Sequence, residues 1–476
     1  MKKSLYFLFS FVSLLSNAQT KRLFGTTFGG GTSSSGTLFE YNIQTNTYDK
    51  KYEFNMYTDV GIGPIGSLLQ ASNGKLYGTT TEGGAVIGVL FEYDPATNIY
   101  TKKIDFNGDD SGGRPNGNLI QLSNGKLYGT TNSGGAYASG VLFEYNPATN
   151  TYTKKIEFNY LDLAGSGSAP SLGGLLHASN NKLYGMTSHG GLYAGGILYE
   201  YNPDNDTYSK LLDFDSAQKG SHPYGGLIQA SNGKLYGLTS DEYASSLGTL
   251  FEYNLENNSY TKLIDFDGAE KGANPYGSLT QASNGKLYGM TSQGGAFSLG
   301  TLFQYDIVTN TYSKLLDFDG SQKGSSPYGS LMQASDGKLY GQTLFGGADN
   351  MGVLFQYDYS TNTYTKLKDL NSTMGGYPYY NAGLIELKNQ ESLSTNNNFK
   401  NDIKIFPNPV KSTLFINAKE KFSVYEIYTA NGRKSMLGVL QNASSQIHVS
   451  QLSRGVYVLR LTTDNGEIFV QKFIKE

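Results

Sequence analysis

The chain of 476 residues contains no cysteine. A disulfide, a thiolate metal site, a cysteine nucleophile and a lipid-anchored N-terminal cysteine are therefore excluded, and stability has to come from packing. Strong charge is missing too: the formal net charge is −3 and no long Lys/Arg run occurs, so nucleic acid and anionic lipid are not expected partners. No helical period is found along the chain. Beyond the N-terminus no apolar run approaches the ~20 residues of a membrane span. What is abundant is Gly (60), Tyr (38) and an apolar fraction of 38%, the composition of a folded chain longer than one average domain.

The first 20 residues, "MKKSLYFLFSFVSLLSNAQT", join a basic start at Lys2 and Lys3 to an apolar run from Leu5 to Leu15 and a small-residue site ending at Ala18. This is the pattern of a cleavable secretory signal, residues 1–18, leaving a mature chain that starts at Gln19. Loss of the two lysines takes the formal charge from −3 to −5.

The rest is dominated by internal repetition. Lys-Leu-Tyr-Gly recurs from Lys75, Lys126, Lys182, Lys234, Lys286 and Lys338, with a degenerate first copy at Arg22-Leu23-Phe24-Gly25; the leucines stand 53, 51, 56, 52, 52 and 52 residues apart. Such a period indicates a propeller or a solenoid. Each unit contains four strand-like runs, in the second unit "GSLLQAS", "KLYGTT", "GVLFEYD" and "YTKKIDF", rich in β-branched and aromatic residues. Asn-Gly or Asp-Gly joins the first two runs, as at Asn73-Gly74 and Asp336-Gly337, which predicts two-residue hairpin turns with positive φ at both positions. The third run is continuously apolar, predicting burial on both faces. The fourth alternates, with Tyr100, Lys102, Ile104 and Phe106 on one side and Thr101, Lys103 and Asp105 on the other.

The first unit, Arg22 to Phe54, lacks an innermost run, and the array ends with a lone copy of one, Gly383 to Leu387. Pairing of this segment with the strand beginning at Leu23 closes a ring of seven blades. The expectation is an all-β chain, a seven-bladed β-propeller over residues 19–387 closed by a C-terminal strand. An open solenoid would expose its end faces.

"YDPATNIYTKKIDF" is similar to the Kelch repeat, with Tyr48, Tyr100, Tyr152, Tyr208, Tyr260, Tyr312 and Tyr364 where Kelch has Trp. More closely, the recurring "NGKLYGTT", Gly-Gly-Ala and "GVLFEYDPATNTYTK" pattern resembles the GloVer tandem repeat of bacterial surface and secreted proteins, a family for which the resemblance implies no catalytic residues.

Residues 388–401 are polar and read as a linker. From 402 to 476 short alternating strands separated by Asn-Gly and Arg-Gly turns predict a small Ig-like β-sandwich. This segment resembles the C-terminal sorting domain of the type IX (Por) secretion system of Bacteroidetes. The matching positions are Phe406-Pro407-Asn408-Pro409, where the family opens with Tyr-Pro-Asn-Pro, then Gly432 in the Asn-Gly-Arg turn, Leu452 with Gly455, Val456 and Tyr457, and Lys472 with Ile474. The resemblance implies the type IX machinery as partner, export across two membranes, removal of this domain, and release or attachment at the outer cell surface.

Tight turns fall on one end of the expected blades and long loops on the other, and function on a rigid scaffold favours the long loops. Tyr224, Tyr276, Tyr328 and Tyr379 each follow a proline before an innermost strand and are candidates for stacking against sugar rings or extended peptide; packing between blades is the other reading. Asp213 with Asp215, Asp265 with Asp267 and Asp317 with Asp319 could supply oxygens to Ca²⁺ or simply cap turns; capping is preferred, and no cofactor or metal site is expected. Catalysis needs a position that breaks the repeat, and His189, His222, Asp241 and Glu242 do so. No nucleophile or metal-ligand motif accompanies them. The expected function is a secreted or cell-surface binding propeller, monomeric, for a glycan or surface protein and not an enzyme; the alternative is a secreted glycan-active hydrolase or lyase on the same scaffold.

Overall fold

In the computed structural model, the described residues are 21–388, except 59, 86, 163–164, 242–246 and 380–381, and 404–476, except 418–421, 430–433, 441–443 and 464–467. The expected signal and nearly all of the expected linker lie outside them. Every regular element among the described residues is a β-strand.

From Arg22 to Glu386 the strands form seven antiparallel sheets, each a meander. The fifth is representative: Ile228–Gln229, Leu235–Thr239, Thr249–Asn254 and Ser259–Asp265 pair in that order from the inside outward. The first sheet takes its outer three strands, Arg22–Thr27, Thr37–Asn42 and Thr47–Glu53, from the N-terminal unit and its innermost, Ile385–Glu386, from the far end of the array. Leu23 stands opposite Glu386 and Phe24 opposite Ile385, and the Leu387 N–H donates to the Arg22 carbonyl at 2.8 Å.

The continuously apolar third runs are buried on both faces, as at Val141–Asn146, where the first five residues are all buried. Each sheet shares a core with the next: Met290 and Leu302 of the sixth pack with Leu339 and Phe355 of the seventh. Tyr340 and Leu354 of the seventh pack with Leu23, Phe39 and Leu384 of the first, and Phe24, Leu38 and Leu387 continue to Leu76 and Phe91 of the second. The succession therefore returns to its start, and among the described residues each of the seven sheets packs against two neighbours.

Three local expectations are corrected. The Asn-Gly hairpins are not two-residue turns with positive φ twice over: Gly233 has φ +81°, whereas Asn232 is not left-handed. Gly233 N–H donates to the Ala230 carbonyl (2.9 Å) and Ala230 N–H to the Lys234 carbonyl (3.0 Å), the three-residue loop in which a type I turn is followed by a left-handed glycine. The Asn232 side chain then accepts from the Lys234 N–H and donates to the Tyr236 hydroxyl, which explains why Asn precedes Gly. In the fourth sheet Asn181 takes the left-handed position, φ +63°. Secondly, the alternation of the outer strand is interrupted by a bulge: Leu90 pairs with Ile104 but Phe91 with Lys102, leaving Lys103 unpaired. Thirdly, the innermost runs pair over only two residues, as at Ile228–Gln229. Their preceding backbone bonds sideways instead, Gly226 N–H to Ser278 Oγ at 2.7 Å and Ser278 N–H to Ser330 Oγ at 2.8 Å, so neighbouring sheets are tied together near the axis.

In the C-terminal part, Lys404–Phe406, Thr413–Asn417 and Ser444–His448 form one sheet and Lys434–Val439, Phe422–Thr429, Gly455–Thr463 and Ile468–Lys475 another. Leu414, Ile416 and Ile447 of the first share one core with Ile427, Leu459, Leu461 and Phe473 of the second.

Candidate functional site

In a meander the loop between second and third strands and the connection to the next sheet emerge at the same end. Among the described residues, all the exposed aromatic side chains of the repeats lie in these segments: Phe28, Tyr57, Tyr137, Tyr160, Tyr193, Phe297 and Phe345. The opposite end, with its tight turns, exposes Ile99 and Val308.

At this end the four tyrosines singled out by sequence form a continuous arc. Tyr224 and Tyr276 have ring centroids 5.2 Å apart, Tyr276 and Tyr328 4.6 Å, Tyr328 and Tyr379 5.8 Å, and Phe28 adds a further ring 5.6 Å from Tyr379. Tyr276, between two neighbours, is 3% exposed. Ring faces are therefore spent largely on one another. The backbone beneath is tight: a Cβ on Gly277 would come within 2.2 Å of the Gly329 carbonyl oxygen.

His189 closes the second strand of the fourth sheet, Leu183–His189, and His222 precedes the inner run of the fifth; their ring centroids are 5.0 Å apart, edge to face. Asp241, 1% exposed, accepts a hydrogen bond from the Ser221 hydroxyl, and Ser221 Oγ lies 2.9 Å from His222 Nδ1. Asp241 thus meets the imidazole through a serine that is itself fully buried. Ser188 plays the same part for His189, with Oγ 2.9 Å from Nδ1 while donating to the Ala169 carbonyl at 3.0 Å. Glu242 lies outside the described residues.

The paired aspartates are engaged by the chain itself. Asp215 accepts from the Gln218 and Lys219 N–H groups (2.8 and 2.9 Å) and pairs with the Lys219 ammonium; Asp267 and Asp319 repeat the arrangement with Lys271 and Lys323. Asp213 accepts from the Leu192 N–H at 2.8 Å and pairs with Lys210, and Asp317 does so with Ala296 and Lys314. Asp215, Asp267 and Asp319 thus cap their own turns, whereas Asp213 and Asp317 hold a loop 21 residues away. Among the described residues no group of three or more His, Asp or Glu side chains is arranged to hold a metal ion.

Sequence reasoning missed a cleft of about 510 Å³ between the third and fourth sheets, bordered by Ser133, Ser139, Tyr160, Ser168 and His189. The one signal for it was the 56-residue step at this place in the array, which lengthens the connection that carries Tyr160.

The repeats match the Gloeobacter/Verrucomicrobia repeat over residues 10–172 and 170–402. The chain belongs to the Gloeobacter/Verrucomicrobia repeat family. In this repeat protein the C-terminal residues match a secretion system C-terminal sorting domain over 404–476. That domain implies export by the type IX secretion system and marks proteins that are secreted and attached to the cell surface. Of its sequence-matched residues, Asn408 accepts from the Ile474 N–H at 2.8 Å. Tyr457 stacks on Phe473 with centroids 5.6 Å apart and donates to the Ser453 carbonyl. Phe406 is about half exposed and Lys472 exposed; Gly432 lies outside the described residues. No helix among the described residues is long and apolar enough to cross a membrane.

No curated protein matches the Gloeobacter/Verrucomicrobia repeat chain in sequence. Among solved structures it is similar to PorZ of Porphyromonas gingivalis, described as an essential bacterial surface component of the type IX secretion system, at 14% identity and a TM-score of 0.44, covering 96% of this chain but only 58% of PorZ. A putative 6-phosphogluconolactonase from Bacteroides fragilis matches at 15% identity with a TM-score of 0.52, over 78% of this chain and 99% of that one. A fungal alcohol oxidase of the AA5 family, in complex with copper, matches at 13% identity with a TM-score of 0.48, over 96% and 95%. The likeness to the Bacteroides protein is one of fold, an all-β, propeller-like architecture.

Proposed function

We propose that the seven sheets are the blades of one closed β-propeller, carried to the cell surface behind a cleavable signal (1–18) by an Ig-like sorting domain (402–476), and that the propeller binds a glycan or surface protein through its long-loop end. The observation that carries this reading is the segregation of exposed aromatics: all those of the repeats among the described residues lie at one end, where unsatisfied apolar area favours a partner. For Asp241 with His222 acid–base catalysis is less well supported, because a buried serine separates the two, whereas a working dyad needs direct contact or one intervening water.

Binding of the purified secreted chain to arrayed glycans and to extracts of surface protein tests the reading, with substrate turnover measured in parallel. Saturable binding without turnover is expected. Turnover abolished by His189→Ala would transfer the site to the enzymatic alternative.

A further inference from the structure

Within these near-identical repeats two positions per unit vary freely. One is the residue six places beyond the Leu of the Leu-Tyr-Gly motif, the other the residue that precedes the inner proline. At the rim of the long-loop end the first of these in one sheet faces the second in the next. His189 meets His222 with centroids 5.0 Å apart, and Phe345 meets Tyr377 at 5.8 Å. In the first and second sheets both positions are glycine, Gly29 and Gly63, and the neighbouring Phe28 covers Gly63, where an added Cβ would come within 2.7 Å of its ring. Between the third and fourth sheets the corresponding pair is Ser133 and Ala169, the smallest combination with side chains on both members, and both border the 510 Å³ cleft. The cleft is thus a rim contact whose filling residues have been replaced by small ones.

We propose that this cleft is a subsite for one neutral sugar residue of a glycan, an inference that rests on the ligand-binding reading above. Among the described residues its border contains no Lys, Arg, Asp or Glu, so an anionic or cationic ligand would meet no counter-charge there. Asn132, Ser133, Ser139 and Ser168 offer donors and acceptors together, as hydroxyl groups require. Because the Ser188 hydroxyl donates to the Ala169 carbonyl, the neutral His189 ring carries its proton on Nδ1 and donates it to Ser188. Tyr160, 55% exposed, supplies an apolar face for the C–H side of a pyranose, and it is tied to the cleft wall by its N–H to Ser139 Oγ at 3.2 Å. The volume falls within the range of small-ligand pockets.

The test uses the full secreted chain and immobilised oligosaccharides ending in glucose, galactose, mannose or N-acetylglucosamine, alongside uronate-terminated and sulfated counterparts. Two variants are compared with the parent. Tyr160→Ala removes the platform. Ala169→Tyr fills the cleft at a left-handed position, φ +50°, where the equivalent Tyr377 already sits at φ +53°. Both are expected to weaken binding of the recognised neutral probe by about tenfold or more, with the melting temperature retained by Tyr160→Ala. Val308→Ala, in a tight turn at the opposite end and 86% exposed, should leave binding unchanged. Undiminished binding by both cleft variants, or recognition confined to the charged probes, would overturn the subsite while leaving a ligand surface elsewhere on this end. Failure to bind any glycan or surface protein would overturn the binding reading itself.

Discussion

The Glu386 carboxylate accepts both the N–H (2.6 Å) and the hydroxyl (2.7 Å) of Ser335. In the preceding sheets a glutamine does this work: Gln333 Oε1 accepts from Ser283 N–H and Gln281 Oε1 from Ser231 N–H, each at 2.9 Å. The segment that closes the ring replaces the amide by a charge, and hydrogen bonds to a charged acceptor are the stronger kind. Glu386→Ala should cost about 1–3 kcal/mol and Glu386→Gln less. Deleting residues 383–387 also removes buried Leu384 and Leu387 and should cost several kcal/mol more. Thermal unfolding checks both, and a deletion variant that melts with the parent would show that closure contributes nothing.

Gly237 illustrates why the Leu-Tyr-Gly motif recurs. A Cβ there would lie 2.5 Å from Phe251 Cζ and 3.0 Å from Leu227 Cδ2, and the same ring approach is found at Gly78, Gly289 and Gly341. Gly237→Ala should destabilise by about 1–3 kcal/mol through overpacking. Gly233 has open space around it and a φ of +81°, so Gly233→Ala should cost only ~1 kcal/mol, from backbone strain alone. Urea unfolding of the two variants separates the mechanisms; equal costs would mean that Phe251 moves aside freely.

Such contacts explain what the sequence made legible. Repeated Leu, Tyr, Gly and Phe specify packing between sheets, so the meander, the doubly buried third strand and the pairing of Phe24 with Ile385 follow from pattern. The bulge at Lys103 leaves no such trace, because the same Lys-Lys-Ile run is compatible with regular alternation. The four tyrosines were legible as an arc near the axis, but their mutual stacking depends on how closely glycine backbones approach. His189 and His222 stood out as departures from the repeat; the serines beside them did not, since serine is common at those positions. The cleft is the hardest case, being made by what Ser133 and Ala169 lack.

Acid should destabilise the repeats through a recurring carboxylate. Glu92 and Glu144 side chains are 9% exposed and pair with Lys75 and Lys126 at 2.7 and 2.8 Å. Burial acts to raise both carboxyls, but hydrogen bonds from these lysines and from Tyr77 and Tyr128, with the charges of Lys103 and Lys155, outweigh it and hold them below the ordinary range. A depressed folded pKa adds stability that is complete above the unfolded value of about 4.3 and is lost as pH falls through the folded one. Stability should therefore be level between about pH 7 and 5 and decline below about pH 4.3. Glu92→Gln should flatten that decline in denaturant titrations; an equally steep fall in the variant would assign it to other groups.

The outer-strand tyrosines link stability to the proposed binding end. Tyr260 stacks on Phe251 with centroids 5.3 Å apart, and its hydroxyl donates to the Lys219 carbonyl at 2.7 Å, in the connection that leads to His222. Tyr152, Tyr312 and Tyr364 make the same bond to Ser111, Lys271 and Lys323. Each long connection is therefore pinned by a ring at the far edge of its own sheet. Tyr260→Phe keeps the stack and removes the pin, so it should cost about 1–2 kcal/mol overall while raising hydrogen exchange in residues 214–222 much more than in the strands Leu235–Thr239 and Thr249–Asn254. Tyr260→Ala, which also opens a cavity, should cost about 3–5 kcal/mol. Exchange that stays unchanged in the connection of the Phe variant would show that its path is fixed by the capping of Asp215 alone.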